Sequence, residues 1–177
     1  MLTTILCSGS GGQGALTVGN VLGNAAMYEN FFVSYLPCYG AAMRGGTANC
    51  TTSISTEEIA SPVVSSPDVL IALNKPSVIT FLPRLKPGTR LIYNADLIDA
   101  VPDHPGVACY AVAANRIGRE AANERSANMV MLGAMLKVLP VIKMESLIRS
   151  VQDLMGSKKA LASMTIKALQ GGYDSVA

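Results

Sequence analysis

Short apolar runs that end at glycine, proline or asparagine recur along the chain as far as Tyr110. Runs of this length with such ends predict buried β-strands, because an amphipathic helix needs a longer periodic stretch. One run differs, since residues 47–55 are rich in threonine and alternate in polarity, which predicts a strand with one polar face. We expect Pro37 to halt the second strand. The predicted strands are Thr3–Ser8, Phe31–Leu36, Thr47–Ser55, Val69–Leu73, Arg90–Tyr93 and Val107–Tyr110.

Helical spacing of apolar residues begins after Gly14 and continues through Ala25. A short second helix is predicted after Asn74, where a proline suits the first turn, and it ends at about Leu82. Beyond residue 113 the pattern is helical almost throughout, and we expect Gly171 and Gly172 to end the last helix. The four predicted helices of this C-terminal part are Ala113–Asn123, Asn128–Val138, Met144–Leu154 and Lys158–Leu169.

The order of these elements predicts the fold class. Strands that alternate with helices at this spacing favour an α/β protein with an open, mostly parallel, Rossmann-like sheet, helices on both faces and further helices at the C-terminus. We place the Thr47–Ser55 strand as an antiparallel strand at an edge of the sheet. The chain has no linker, internal repeat or low-complexity segment, so residues 1–177 are predicted to form a single domain.

The composition of the chain reduces the number of functional classes to which it can belong. Only 15% of the residues are charged while half are hydrophobic, which favours a sheet covered on both faces together with a large protein–protein interface. A net charge of +2 without a basic run argues against nucleic-acid binding, and no segment predicts a signal peptide or a membrane span. We therefore expect a soluble, cytoplasmic protein.

The cysteines lack the spacing of zinc or iron–sulfur ligands and are predicted to be reduced and mostly buried: Cys7, Cys38, Cys50 and Cys109.

Residues 9–14 read GSGGQG, which satisfies GxGxxG between a predicted strand and a predicted helix. Three interpretations stay open: a tight turn that only packs, a site for an anion or a phosphate-bearing ligand such as coenzyme A, and a dinucleotide site. The dinucleotide interpretation lacks the carboxylate expected at the end of the second strand, because Glu29 precedes that strand. A P-loop is excluded, since no Gly-Lys-Ser/Thr follows the turn.

Residues 38–46 are predicted to form a loop or a short helix, in which Arg44 is the only charged residue between Glu29 and Glu57. An isolated arginine flanked by glycines needs a partner, either an anionic ligand or a group at a subunit interface. The candidate contacts for coenzyme A or for a partner subunit are Gly9, Gly11, Gly12, Gln13, Gly14, Arg44, Gly45, Gly46, Thr47 and Asn49.

Five stretches carry a family resemblance: GGQG at 11–14, LPCYG at 36–40, MRGGTANC at 43–50, SPVVSSPDVLIALNKPS at 61–77 and ANMVMLGA at 127–134. In this order they resemble the gamma subunit of 2-oxoacid:ferredoxin oxidoreductases over nearly the whole chain. The MRGGTAN version is similar to the 2-oxoglutarate and branched-chain (2-oxoisovalerate) types, whereas the pyruvate type more often carries an Arg-Arg-Gly-Ala-Pro-like loop. One departure is GAAM at 40–43, where the family usually has Gly-Pro-Glu-Met, so a carboxylate beside Arg44 is missing.

The resemblance implies a complex that decarboxylates a 2-oxoacid on thiamine diphosphate with Mg²⁺ and passes electrons through iron–sulfur clusters to ferredoxin. It releases an acyl-CoA. The implied partners are alpha, beta and ferredoxin-like delta subunits, and the isolated chain is expected to be inactive. No catalytic or metal-ligating residue is assigned: His104 lies in a predicted surface turn and should be solvated, and Asp96 is interpreted as a helix cap.

Three other hypotheses remain open. The first is the small subunit of an indolepyruvate oxidoreductase, which has a similar glycine-rich start. The second is a free-standing Rossmann-type nucleotide-binding oxidoreductase. The third is a structural spacer without ligand contacts, for which substitutions in residues 9–14 would alter assembly and leave the kinetics unchanged.

Overall fold

A computed structural model describes residues 1–40, 46–121 and 124–177. The predicted boundaries agree within two residues except at the ends of the first helix, the second strand and the last helix. The strands are β1 (Leu2–Ser10), β2 (Phe32–Tyr39), β3 (Thr47–Ser55), β4 (Val69–Ala72), β5 (Arg90–Asn94) and β6 (Ala108–Val112). The α-helices are α1 (Ala15–Tyr28), α2 (Lys75–Phe81), α3 (Ala114–Ala121), α4 (Ala127–Val138), α5 (Met144–Met155) and α6 (Lys159–Asp174).

The six strands form one sheet in the order β2-β3-β1-β4-β5-β6. Neighbours among β1, β4, β5 and β6 are parallel, whereas β3 is antiparallel to both β1 and β2. The predicted mostly parallel α/β sheet is confirmed, and so is the antiparallel direction of β3. Its predicted edge position is wrong, because β3 lies inside the sheet and β2 forms the edge. Buried hydroxyls explain the polar sequence of β3: Thr52 Oγ1 lies 3.4 Å from the Gly19 carbonyl of α1.

Pro37 does not halt β2, which continues to Tyr39. The Gly40 N–H donates to the Thr47 carbonyl at 2.8 Å, and backbone polar groups alternate in direction along a strand. Cys38 therefore directs its N–H toward β3, and the Pro37 nitrogen lies on the open side. A proline at that position of an edge strand removes no hydrogen bond from the sheet.

The two faces of the sheet are covered unequally. The larger core contains residues of α1, α3, α4, α5 and α6 packed against one face. The other face carries α2 and the 3-10 turn Leu82–Arg84 over a smaller cluster that includes Leu70, Val78 and Leu91. Helices on both faces are thus confirmed. Among the described residues, no helix combines the length and the apolarity that crossing a bilayer requires.

Gly171 and Gly172 do not end the last helix, since α6 continues to Asp174. A Cβ atom at Gly172 would overlap the Val130 carbonyl of α4, and one at Gly133 would overlap the Leu169 carbonyl of α6. The glycines therefore serve close backbone contact between α4 and α6, which outweighs their tendency to terminate helices.

Two of the four cysteines are buried and two are exposed, so the expectation of mostly buried thiols holds only for Cys7 and Cys50. These two residues are paired across β1 and β3. Burial raises the pKa of Cys50 to about 11, and burial together with the neighbouring Cys50 raises the pKa of Cys7 well above its ordinary value. Both are therefore thiols rather than thiolates near neutral pH.

We expect iodoacetamide at pH 8 to alkylate Cys38 in the folded chain and to reach Cys7 and Cys50 only after denaturation, because the thiolate is the reactive form. Mass mapping of the alkylated peptides checks this.

The stability that depends on the Cys50 thiol is present below the unfolded pKa near 9 and is lost as the pH rises through about 11. A Cys50→Ala control should show a smaller loss over this interval, and rapid labelling of native Cys50 would contradict the assignment.

Candidate functional site

The glycine-rich turn lies between the end of β1 at Ser10 and the start of α1 at Ala15. The Gln13 N–H donates to the Ser10 carbonyl at 3.0 Å and closes the turn. Gly12 and Gly14 have φ angles of 92° and 79°, a left-handed backbone that strongly favours glycine. The turn therefore depends on glycine at these two positions for conformational reasons alone.

The glycines of the turn have different surroundings. A Cβ atom at Gly9 would lie 3.0 Å from Leu73 Cδ1, and one at Gly14 would lie 3.0 Å from Asn128 Cγ. The packing interpretation therefore applies to Gly9 and Gly14. Gly9 allows Leu73, directly after β4, to approach the turn, and Gly14 allows Asn128 of α4 to approach it. A Cβ atom at Gly12 would meet no atom within 4 Å. Gly12 thus has open space for a ligand.

The start of β3 adjoins the turn. The Gly11 N–H donates to the Gly46 carbonyl at 2.9 Å, and Ser10 is paired with Thr47. The structure therefore brings Gly46 and Thr47 to the turn, as the candidate set requires. Arg44 and Gly45 lie outside the described residues.

Asn49 lies on the other side of the sheet. The neighbouring Cys50 donates its thiol to the Ala15 carbonyl of α1 at 3.2 Å, and successive side chains of a strand point to opposite faces. Asn49 accordingly lines a separate groove with Leu36 and Cys38 on the face away from α1. It does not join the site at the glycine turn.

A crevice of about 220 Å³ opens beside Gly12 at the carboxyl ends of β1, β4 and β5. The chain leaves β1 into α1 on one face of the sheet and leaves β4 into α2 on the other. Such a change of direction between adjacent parallel strands is where open α/β sheets commonly bind ligands. The crevice is lined by Gly12, Gln13, Leu73, Asn94, Asn115, Arg125, Ala127 and Asn128.

Two helices begin at this crevice. Neither α1 nor α4 has a side chain that caps its first N–H groups. Uncapped N–H groups and the positive end of the helix dipole attract anions. Arg125 adds a guanidinium, and none of the described lining residues carries a carboxylate. The electrostatics of the crevice therefore favour an anionic ligand.

Carboxamides supply the remaining polar groups of the crevice. Asn94 Nδ2 donates to Asn115 Oδ1 at 2.8 Å, and Asn128 Nδ2 donates to the Gly14 carbonyl at 3.2 Å. Asn94 and Asn128 are buried, so these contacts fix their positions. These asparagines and Arg125 were not predicted from the sequence as ligand contacts. Of the residues around them, only the ANMVMLGA stretch, which includes Asn128, carried a sequence signal.

Two other titratable residues considered from the sequence lie outside the crevice lining. Asp96 Oδ2 accepts from the Arg116 N–H in the first turn of α3 at 2.8 Å, so it contacts the start of a helix that is distant in sequence, whereas no helix of the described residues begins directly after Asp96 as an N-cap requires. His104 was expected to be solvated, but its Nδ1 atom is shielded from solvent and makes no hydrogen bond to the described residues.

The sheet order bears on the dinucleotide interpretation. In a dinucleotide-binding fold, the second parallel strand adjoins the first and supplies the ribose carboxylate at its end. Here β3 takes the place beside β1, and β2 lies one strand further out. Glu29 lies before β2, where its Oε1 atom accepts from the Lys143 N–H at 2.7 Å. The described residues thus provide no carboxylate for a ribose at the crevice.

The residues described also do not fit a metal or a cluster. Within the described ranges, no group of three His, Cys, Asp or Glu side chains is placed to hold a metal ion. The buried pair Cys7 and Cys50 is separate from the exposed Cys38 and Cys109. The described residues of this chain therefore offer no site for Mg²⁺ or for an iron–sulfur cluster.

With this fold and site, the chain belongs to the pyruvate ferredoxin/flavodoxin oxidoreductase family, whose model matches residues 4–175. The resemblance found in the sequence motifs is confirmed. The 2-oxoglutarate synthase subunit KorC of Methanothermobacter marburgensis is 32% identical, with 99% of this chain and 97% of the relative aligned. The ketoisovalerate oxidoreductase subunit VorA of Methanothermobacter thermautotrophicus is 36% identical over 94% of this chain. The chain spans only 35% of the length of that relative.

Solved structures show the same architecture. The gamma subunit of a keto/oxoacid ferredoxin oxidoreductase from Geobacter sulfurreducens superposes with a TM-score of 0.84 at 26% identity, covering 98% of this chain and 97% of that one. A 2-oxoglutarate:ferredoxin oxidoreductase from Magnetococcus marinus, solved with 2-oxoglutarate, coenzyme A and succinyl-CoA, gives a TM-score of 0.89 at 26% identity. The match covers 98% of this chain and 30% of that chain.

Proposed function

We propose that this chain is the gamma-type subunit of a 2-oxoacid:ferredoxin oxidoreductase that acts on 2-oxoglutarate or a branched-chain 2-oxoacid such as 2-oxoisovalerate. The relatives named for these two activities support the proposal. The low charge content supports it as well, because obligate interfaces are depleted in charged residues. Its proposed partners are alpha, beta and ferredoxin-like delta subunits, with ferredoxin as electron acceptor, in the cytoplasm.

Within such a complex the partner subunits supply the redox chemistry. Thiamine diphosphate with Mg²⁺ supports decarboxylation of the 2-oxoacid, and iron–sulfur clusters carry the electrons. The contribution we propose for this chain is to bind and orient coenzyme A, the acyl acceptor. A gamma-type subunit of this kind has no turnover of its own.

The crevice beside Gly12 is the observation that carries the coenzyme A proposal. Coenzyme A bears a pyrophosphate and a ribose phosphate, and each is an anion that suits free N–H groups at helix N-termini. The uncapped starts of α1 and α4 and the guanidinium of Arg125 converge on this crevice. Gly12 adds a backbone that a phosphate can approach closely, since no Cβ atom stands in the way.

The second glycine-rich segment belongs to the same proposal. Gly46 is hydrogen bonded to the turn, and Arg44 precedes it by two residues in the sequence. We propose Arg44 and Gly45, with Gly11, Gly46 and Thr47, as further contacts to coenzyme A or to the companion chain that covers it. Arg44→Ala should then raise the apparent KM for coenzyme A more than the KM for the 2-oxoacid.

Arg125→Ala in the assembled enzyme is expected to raise the apparent KM for coenzyme A about tenfold, because one charge-assisted contact of roughly 1.4 kcal/mol is removed. The KM for the 2-oxoacid should stay within about twofold of wild type, since a twofold change is well below 1 kcal/mol. Initial rates of acceptor reduction, measured while each substrate is varied separately, provide both constants.

Arg90→Ala is the matched control. Arg90 begins β5, so it lies at the end of the sheet opposite the crevice, and the variant removes the same charge from the chain. Its KM for coenzyme A should equal that of wild type. Equal KM values for coenzyme A in Arg125→Ala and Arg90→Ala would reject the crevice as the coenzyme A site.

A further inference from the structure

Asn74 joins α2 to the glycine-rich turn. It precedes α2, and its Oδ1 atom accepts from the Ser77 N–H at 3.0 Å and from Ser77 Oγ at 2.7 Å. A backbone N–H can only donate, so this contact fixes which end of the Asn74 carboxamide is oxygen. The Nδ2 end must therefore face the glycine-rich turn.

From this position Asn74 Nδ2 donates to Ser10 Oγ and to Gln13 Oε1, each at 2.8 Å. Gln13 Oε1 also accepts from the Ser10 N–H at 2.7 Å. Two donors thus hold the oxygen of the Gln13 carboxamide, and one of them is a backbone group whose direction is fixed. No hydrogen bond of the described residues engages Gln13 Nε2, although Gln13 lines the crevice.

We propose that Asn74 is a positioning residue that turns the Gln13 carboxamide so that its Nε2 donor is presented to the anionic ligand of the crevice. This inference rests on the proposed function for the identity of the ligand, coenzyme A. Without the Asn74 donor, the side chain of Gln13 could turn over and present an oxygen to the phosphate. A donor that faces an anion would then be replaced by an acceptor that repels it.

Asn74→Asp tests this role, and the separate effect of the negative charge that it adds is measured in a Gln13→Ala background. Aspartate is isosteric and caps a helix as well as asparagine does, so the contact with the Ser77 N–H is preserved. Its carboxylate cannot donate to Gln13 Oε1 and instead attracts Gln13 Nε2. The substitution therefore favours the inverted carboxamide while it leaves α2 capped.

In the assembled enzyme, Asn74→Asp should raise the apparent KM for coenzyme A about tenfold, the effect of losing one charge-assisted hydrogen bond, with the KM for the 2-oxoacid unchanged. Ser77→Ala, which keeps the Asn74 bonds to the turn, is the control and should leave both constants unchanged. In a Gln13→Ala background, Asn74→Asp should raise the KM for coenzyme A less than it does in wild type, because only the repulsion by the added carboxylate remains when Gln13 is absent. Additive effects of the two substitutions would overturn the inference.

A second readout separates this inference from the proposed function. In the full-length chain without ligand, Asn74→Asp should accelerate hydrogen exchange of the Ser10 amide about tenfold relative to wild type and Ser77→Ala, since inversion of Gln13 removes the acceptor of that N–H. An unchanged KM for coenzyme A in Gln13→Ala would contradict the proposed coenzyme A site. Unchanged exchange at Ser10 in Asn74→Asp would overturn the positioning role.

Discussion

Gly172→Ala is expected to lower the free energy of unfolding by about 3 kcal/mol, the upper end of the usual cost of overpacking a core. The added Cβ atom would overlap the Val130 carbonyl of α4. A backbone carbonyl within a helix cannot rotate away, so α4 and α6 must separate and the core between them must loosen. The gain of about 1 kcal/mol from the better helix propensity of alanine does not offset this cost.

Gly171→Ala is the control in the adjacent position of the same helix. A Cβ atom there would meet only Ile117 Cγ2, at 2.9 Å, and a side-chain methyl group can shift. This variant should be as stable as wild type or more stable, because alanine favours the helix. Urea unfolding followed by circular dichroism compares the three proteins. Equal midpoints for Gly171→Ala and Gly172→Ala would show that α4 and α6 are not in backbone contact.

The same pair of glycines illustrates what periodicity predicts and what it omits. Local spacing correctly placed the four C-terminal helices, because an apolar face records burial along one element. It also ended the last helix too early, since a Gly-Gly pair is a common helix terminator. The helix continues through these glycines because α6 packs closely against Val130 of α4. The sequence pattern of one helix contains no information about a contact with another helix.

For the strands as well, local sequence predicted some features, whereas others depended on tertiary contacts. Local patterns identified all six strands. The position of β3 in the sheet and the end of β2, however, depended on neighbouring strands. The threonine-rich β3 was predicted as an edge strand with one polar face, whereas it lies inside the sheet and Thr52 is buried close to the Gly19 carbonyl of α1. Pro37 was expected to stop β2, yet its nitrogen lies on the open edge. Sheet order and the direction of each backbone group are tertiary properties.

For the site, the sequence located the turn but only part of its surroundings. The GxGxxG pattern is local, so Gly12 and Gln13 could be selected from it. Asn128 approaches the Gly14 carbonyl although 114 residues separate them, and Arg125 reaches the same crevice from the 3-10 turn Glu124–Ser126 that precedes α4. Asn49 was a candidate contact within the MRGGTANC stretch, but strand alternation places it on the other face of the sheet.

The second large expected effect is the dependence of enzymatic activity on partner subunits. The purified chain alone is expected to show no oxidation of a 2-oxoacid above background, because in the proposed complex thiamine diphosphate and the iron–sulfur clusters are held by the companion chains. In contrast, the chain isolated gently from its own cells should bring companion chains that carry thiamine diphosphate and iron–sulfur clusters. Activity in this preparation should require coenzyme A.

The direct test is therefore affinity capture of the tagged, full-length chain from its own cells, followed by an assay of acceptor reduction with 2-oxoglutarate or 2-oxoisovalerate. We predict activity that depends on coenzyme A in the captured assembly and none in the separated chain. Capture of the chain free of thiamine- and cluster-bearing polypeptides, or turnover of a 2-oxoacid by the chain alone, would contradict the account.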